Sequence, residues 1–176
     1  EMTRTEKETL TGPLKIALIS TVAPVLVPGF FKYFGENYPS IALQTEEMLT
    51  DTIKDKLRKA EVDMGIMAGA GRDVDLFEIS PYHERFLAYV ASNNPVYAQE
   101  SIRMESILEQ PVWIIRDGLR QLDPSELKSG EITYDRFFEG GRVGILIQVV
   151  NENGGITIIP ETHSNFILYS QQNCLR

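Results

Sequence analysis

Two hydrophobic periods alternate along this chain. Leu14 to Ser20 ("LKIALIS") is a short apolar run after Gly12-Pro13 and reads as a strand buried on both faces. In "TVAPVLVPGFFKYFGENYP" the residues Val22, Val25, Leu26, Phe30, Tyr33 and Phe34 recur at spacings of three and four. That period predicts a helix, capped by Ser20 or Thr21. Pro24 suits its first turn, Pro28 is expected to kink or restart it, and Pro39 to close it. "SIALQTEEM" predicts a second strand. "TDTIKDKLRKAEVD" predicts a second amphipathic helix, with Thr50 or Asp51 as cap and Ile53, Leu57 and Ala60 on its inner face. "VDMGIMAGAG" is a third strand running into glycines. Strands alternating with helices over short links imply parallel pairing.

The second half repeats the pattern less regularly. "LFEISPYHERFLAYVAS" predicts one or two strands interrupted at Pro81, followed by a loop, a short helix around "MESILEQ" and a strand in "PVWIIRDG". Gln121 to Gly130 is polar and turn-rich, and "EITYDRFF" predicts another strand. "GRVGILIQVVNEN" predicts a helix with Leu146, Val149 and Val150 facing inward. Asn153 is placed at its left-handed end, Gly155 at the start of the next strand and Pro160 at its close. The tail holds one apolar knot, Phe166 to Tyr169, and no internal repeat is visible. The layout is that of two small α/β lobes with a cleft. Ligands of open parallel sheets sit at the carboxyl ends of strands, facing helix N-termini. That rule nominates Ser20, Thr21, Thr50, Ala68, Gly69, Asp117 and Gly118. Plain helix capping is the competing account of the two threonines.

Composition narrows the chemistry. The 176 residues are 43% hydrophobic and 24% charged, enough for a real core, and no apolar run approaches the roughly 20 residues of a membrane span. The opening "EMTRTEKETL" is charged, lacks the apolar stretch of a signal peptide and begins with Glu, as expected of a fragment or processed chain. A net charge of −8 without a basic stripe makes direct phosphate gripping by this domain a poor reading. Cys174 is the single cysteine, so no internal disulfide can form and a reducing cytoplasm is the simpler setting. His83 and His163 have no metal-ligand spacing, and no nucleophile elbow, phosphate loop or H-E-x-x-H motif occurs. Neither a metal, a cofactor nor a catalytic centre is expected. Arg116 and Arg120, beside a strand end, suit a bidentate grip on a carboxylate, though surface arginines are common.

Three stretches, "STVAPVLVPGFFKYFGENYP", "EEMLTDTIKDKLRKAEVDMGIMAG" and "NGGITIIPE", together resemble the effector-binding domain of LysR-type transcriptional regulators. The matching features are Pro28 two turns into the first helix, Tyr38-Pro39 at its end and Thr50 opening the second. Val62-Asp63 in the third strand, and Gly155 with Pro160 around a later one, complete them. The resemblance spans about Gly12 to Thr162 and rests on the order and spacing of loose motifs.

The resemblance implies an α/β fold of the type 2 periplasmic-binding-protein kind, two Rossmann-like lobes joined by two crossover strands near 90–92 and 160–163. Residues 1–11 would end a linker helix, 12–90 with 161–176 would form lobe I and 91–160 lobe II, without the family's last strand and helix. It implies a cytoplasmic regulator that senses a small metabolite in the interlobe cleft, with Arg116, Arg120 and the helix N-termini pointing to an anionic one. DNA would be reached only through an N-terminal domain outside this chain, the domains would pair as homodimers or tetramers through the first helix, and no membrane is involved. Besides the residues above, Tyr134, Val150 and Asn151 are placed near the ligand. Within the family "STVAPVLVP" and "GGITIIP" look most like the peroxide-sensing branch. That branch carries a reactive cysteine where this chain has Asp117-Gly118-Leu119-Arg120, and without the thiolate that mechanism is chemically excluded. An extracytoplasmic solute-binding protein, a redox-responsive regulator and an enzyme on the same fold remain as alternatives.

Overall fold

The computed structural model describes residues 10–68, 73–80, 83–103, 106–107, 109–115, 137–138, 142–167 and 174–175. The chain divides into two compact units, one up to Ile79 and one from Ser80.

In the first unit β1 (Gly12–Leu18), β2 (Ile41–Glu47) and β3 (Met64–Ile66) form a parallel sheet ordered β2-β1-β3. The alternation within β1 divides the core between the two faces. Ile16 and Leu18 pack on one side with Ala23, Leu26, Val27 and Phe30 of α1 (Ala23–Asn37). Ala17 and Ile19 pack on the other with Ile53 and Leu57 of α2 (Thr50–Arg58) and with Val62. Gly65 leaves room for this packing, because a Cβ there would fall on the Ile53 and Leu57 side chains. Asp63 pins the edge strand: its N–H donates to the Lys15 carbonyl at 2.9 Å, and its carboxylate accepts the Lys15 N–H at 2.8 Å.

Several local expectations are corrected here. The α1 N-cap is Val22, not Ser20 or Thr21, and the α2 N-cap is Leu49, not Thr50 or Asp51. Helix α1 runs through Pro28 without restarting. Proline removes one N–H, and the flanking bonds with the packing of Leu26, Val27 and Phe30 hold the helix together. Tyr33 is half exposed, and Val27, outside the predicted stripe, packs against the sheet. Ala60 does not face the core but closes α2 at φ 54°, in the left-handed region. Its N–H donates to the Leu57 carbonyl and the Glu61 N–H to the Lys56 carbonyl, the paired bonds of a Schellman ending. Residues 76–80 are not a strand.

The second unit is a mixed sheet ordered β4-β7-β5-β6, from β4 (Phe86–Val90), β5 (Val112–Ile115), β6 (Phe137–Phe138) and β7 (Ile156–Pro160). Strand β7 runs antiparallel to β4 and parallel to β5. On one face Tyr89 and Ile159 meet Val143, Leu146, Ile147 and Val150 of α3 (Val143–Asn153). On the other face Ala88, Val90 and Ile156 meet Val96 and Ile107. Asn153 is the last helical residue, and its amide donates to the Val149 carbonyl. The positive φ values belong to Gly154 (75°) and Gly155 (92°), because glycine tolerates them at less cost than asparagine. A 3₁₀ helix, Glu161–Phe166, follows β7. The apolar knot splits: Ile167 is buried and Phe166 exposed, while 168 and 169 lie outside the described residues.

Candidate functional site

In the first unit, the candidates gather because three parallel strands end together. The Ile19 N–H donates to the Ile66 carbonyl and the Met48 N–H to the Leu18 carbonyl, so the turns after β1, β2 and β3 share the carboxyl edge of one sheet. Ser20 and Thr21 follow β1, Thr50 follows β2, and Ala68 lies just past β3. Thr21 is 6% exposed and Thr50 7%, whereas Ser20 and Ala68 are half-buried. Two buried hydroxyl groups on one sheet edge are suited to hydrogen-bonding a small polar ligand.

The two helix N-termini are not equivalent. At α1 the N–H groups of Val22 and Ala23 both donate to the Ile19 carbonyl, Pro24 has none, and those of Val25 and Leu26 donate to the Val22 carbonyl. Helix α1 therefore offers no backbone donors from Val22 to Leu26. At α2 the first intrahelical bond runs from the Ile53 N–H to the Leu49 carbonyl at 2.9 Å, so the donor turn begins at Thr50. Asp51 stands in that turn and offsets the positive end of the helix dipole. Glu46, at the end of β2, is paired with Lys56 at 3.3 Å. Among the described residues this edge supplies hydroxyl groups rather than positive charge.

In the second unit, Val150 is fully buried beneath α3, and Asn151 is exposed, its side-chain oxygen accepting the Tyr89 hydroxyl at 2.9 Å. Burial pushes the Tyr89 phenol up to about 12, Cys174 adds to the rise and Asn151 opposes it. Cys174 is itself buried in this core. Gly69, Arg116, Asp117, Gly118, Arg120 and Tyr134 lie outside the described residues. Among the described residues no group of three or more His, Cys, Asp or Glu side chains could hold a metal ion, and no helix is long and apolar enough to cross a membrane.

Sequence reasoning missed the contacts around the paired glycines. The Trp113 indole N–H donates to the Gly154 carbonyl at 2.9 Å, the Ala91 N–H to the Gly155 carbonyl at 3.1 Å, and the Ile156 N–H to the Pro111 carbonyl at 2.9 Å. The signal available was the lone tryptophan in an apolar strand, whose indole N–H needs an acceptor when buried.

A family model for the LysR substrate binding domain matches residues 7–170. A hydrogen peroxide-inducible genes activator of Haemophilus influenzae is 27% identical over 164 residues, 92% of this chain and 54% of its own length. The DNA-binding transcriptional dual regulator OxyR of Escherichia coli K12 is 25% identical over 162 residues, 91% of this chain and 53% of its own. The chain thus spans about half the length of the curated relatives it matches. The crystal structure of OxyR from Porphyromonas gingivalis superimposes with a TM-score of 0.81 at 26% identity, covering 94% of this chain and 77% of that one. The reduced OxyR regulatory domain of Pseudomonas aeruginosa shares the fold, with a TM-score of 0.75 at 22% identity.

Proposed function

Since this chain belongs to the LysR substrate-binding-domain family, we propose that it is the sensing half of a cytoplasmic transcription regulator. A small polar metabolite binds at the carboxyl edge of the first sheet. Binding favours one conformation of the domain, and paired copies pass that bias to a DNA-binding domain outside these residues. The observation that carries this reading is the convergence of Ser20, Thr21, Thr50 and Ala68 on one sheet edge, with both threonines buried. Hydroxyl groups there do not fix the sign of the ligand. Arg116 and Arg120 argue for a carboxylate, with Gly69, Asp117, Gly118, Tyr134 and Asn151 as further contacts, whereas the fully buried Val150 packs the core instead.

The domain works by binding rather than turnover; the relatives' names describe regulators and gene activators. Two of those names concern hydrogen peroxide and OxyR, yet Cys174 is the single cysteine of these 176 residues and is buried beside Tyr89. A disulfide switch within one such domain therefore has no second thiol here. The same sheet edge serves another ligand.

The test is a thermal-shift screen of metabolites, peroxide included, on this chain and on Thr21→Val and Thr50→Val. A true effector raises the melting temperature and loses most of that shift in both variants. A shift unchanged in both would remove this edge from the site. A mass change at Cys174 with peroxide, altering the oligomer, would restore the redox reading.

A further inference from the structure

The start of the 3₁₀ helix is held by the residues that lead into β4. Glu84 accepts two hydrogen bonds from Thr162, one from its N–H at 3.0 Å and one from its hydroxyl. The Arg85 guanidinium forks onto the Glu161 carboxylate, Nε to Oε2 at 3.0 Å and Nη2 to Oε1 at 2.6 Å. The Glu161 N–H donates to the Arg85 carbonyl, and Phe86 pairs with Pro160. The next residue, His163, is 4% exposed, packs against the Phe166 ring, and has an Nδ1 without a hydrogen-bond partner among the described residues. A neutral imidazole can leave that nitrogen bare, but an imidazolium makes it a buried donor that needs an acceptor.

We infer that His163 is a proton-sensitive latch: while it is neutral the Glu84–Thr162 and Arg85–Glu161 clamp stays closed, and protonation of the ring opens it. Among the described residues the charged group that acts on the ring is Glu84, whose carboxylate favours the imidazolium; the Arg85–Glu161 pair completes the clamp. Burial outweighs Glu84 and moves the histidine below its ordinary value of 6.5. The sign follows. A group held neutral by the closed state contributes its full stability above about pH 6.5, and that contribution is lost as pH falls from there through the folded-state value. Opening frees the Thr162 N–H and the segment after β7. The inference concerns the second unit alone and holds whatever ligand the first sheet edge takes.

The test is amide hydrogen exchange at Thr162, corrected for the intrinsic effect of pH, on the full chain between pH 8 and pH 5 and on His163→Gln. Protection should be constant above about pH 6.5, then fall by about tenfold per pH unit below it, and the fall should vanish in the variant. Protection that stays constant in the wild-type chain, or that falls equally in His163→Gln, overturns the latch. If the variant does not fold, the ring proton shifts of His163 in the wild-type chain decide. A midpoint below 6.5 coinciding with the loss of Thr162 protection upholds it, and a midpoint at or above 6.5 overturns it.

Discussion

Ala60 shows how one residue can oppose its own backbone. It closes α2 at φ 54°, where a Cβ costs roughly 1–2 kcal/mol, and its side chain is exposed. Ala60→Gly removes that strain but gives the unfolded chain more freedom, worth about 0.4–1 kcal/mol. The net expectation is a stabilisation of about 0.5–1 kcal/mol, read as a higher urea midpoint at unchanged slope; destabilisation would place Ala60 outside the left-handed region. Tyr89 is the second single-residue case. Its phenol is pushed up to about 12, chiefly by burial, so the folded state keeps a proton that the unfolded chain releases near 10. The resulting stability is complete below about pH 10 and is lost as pH rises through about 12. Tyr89→Phe should abolish that alkaline loss; equal loss in the variant, measured by denaturation at each pH, would assign it to other groups.

At the scale of elements, the junction of α3, β5 and β7 depends on two glycines in succession. A Cβ at Gly155 would fall on the Pro111 carbonyl oxygen, and φ there is 92°. Backbone strain and displacement of β5 act together, so Gly155→Ala should destabilise by about 2–4 kcal/mol. Gly154 has looser surroundings, its nearest neighbour being the Asn93 side chain at 3.5 Å, so Gly154→Ala should cost less. A Gly155→Ala variant within 0.5 kcal/mol of the parent, in the same urea titration, would contradict this geometry (the margin is about that of a neutral surface change). The run from Val150 to Thr162 was readable as helix, glycines and strand. The assignment of the left-handed turn to Gly154 rather than Asn153 was not, because both residue types end helices and only the strand register separates them.

At the scale of the molecule, the proposed pairing of copies has a definite surface. Helix α1 buries Ala23, Leu26, Val27 and Phe30 against its sheet and leaves Phe31 (51%) and Tyr33 (50%) exposed. If α1 forms the interface, Phe31→Glu with Tyr33→Glu should shift the chain towards monomer in light scattering while leaving its melting temperature within a few degrees. A wild-type chain that stays monomeric at millimolar concentration would rule that interface out. The sequence by itself determined the alternation of elements, the parallel sheet of the first unit and the family, because hydrophobic period and glycine–proline spacing are local properties. It also brought Ser20, Thr21, Thr50 and Ala68 to one edge, since strand ends in a parallel sheet share a side. Only the tertiary structure decided that Val22 and Leu49 hold the cap positions and that α1 has spent its first donors on Ile19 and Val22. It alone joined Glu84 to Thr162 and Arg85 to Glu161, next to the buried His163. The clamp depends on a partner 78 residues away in the chain, and no local pattern encodes such a pairing.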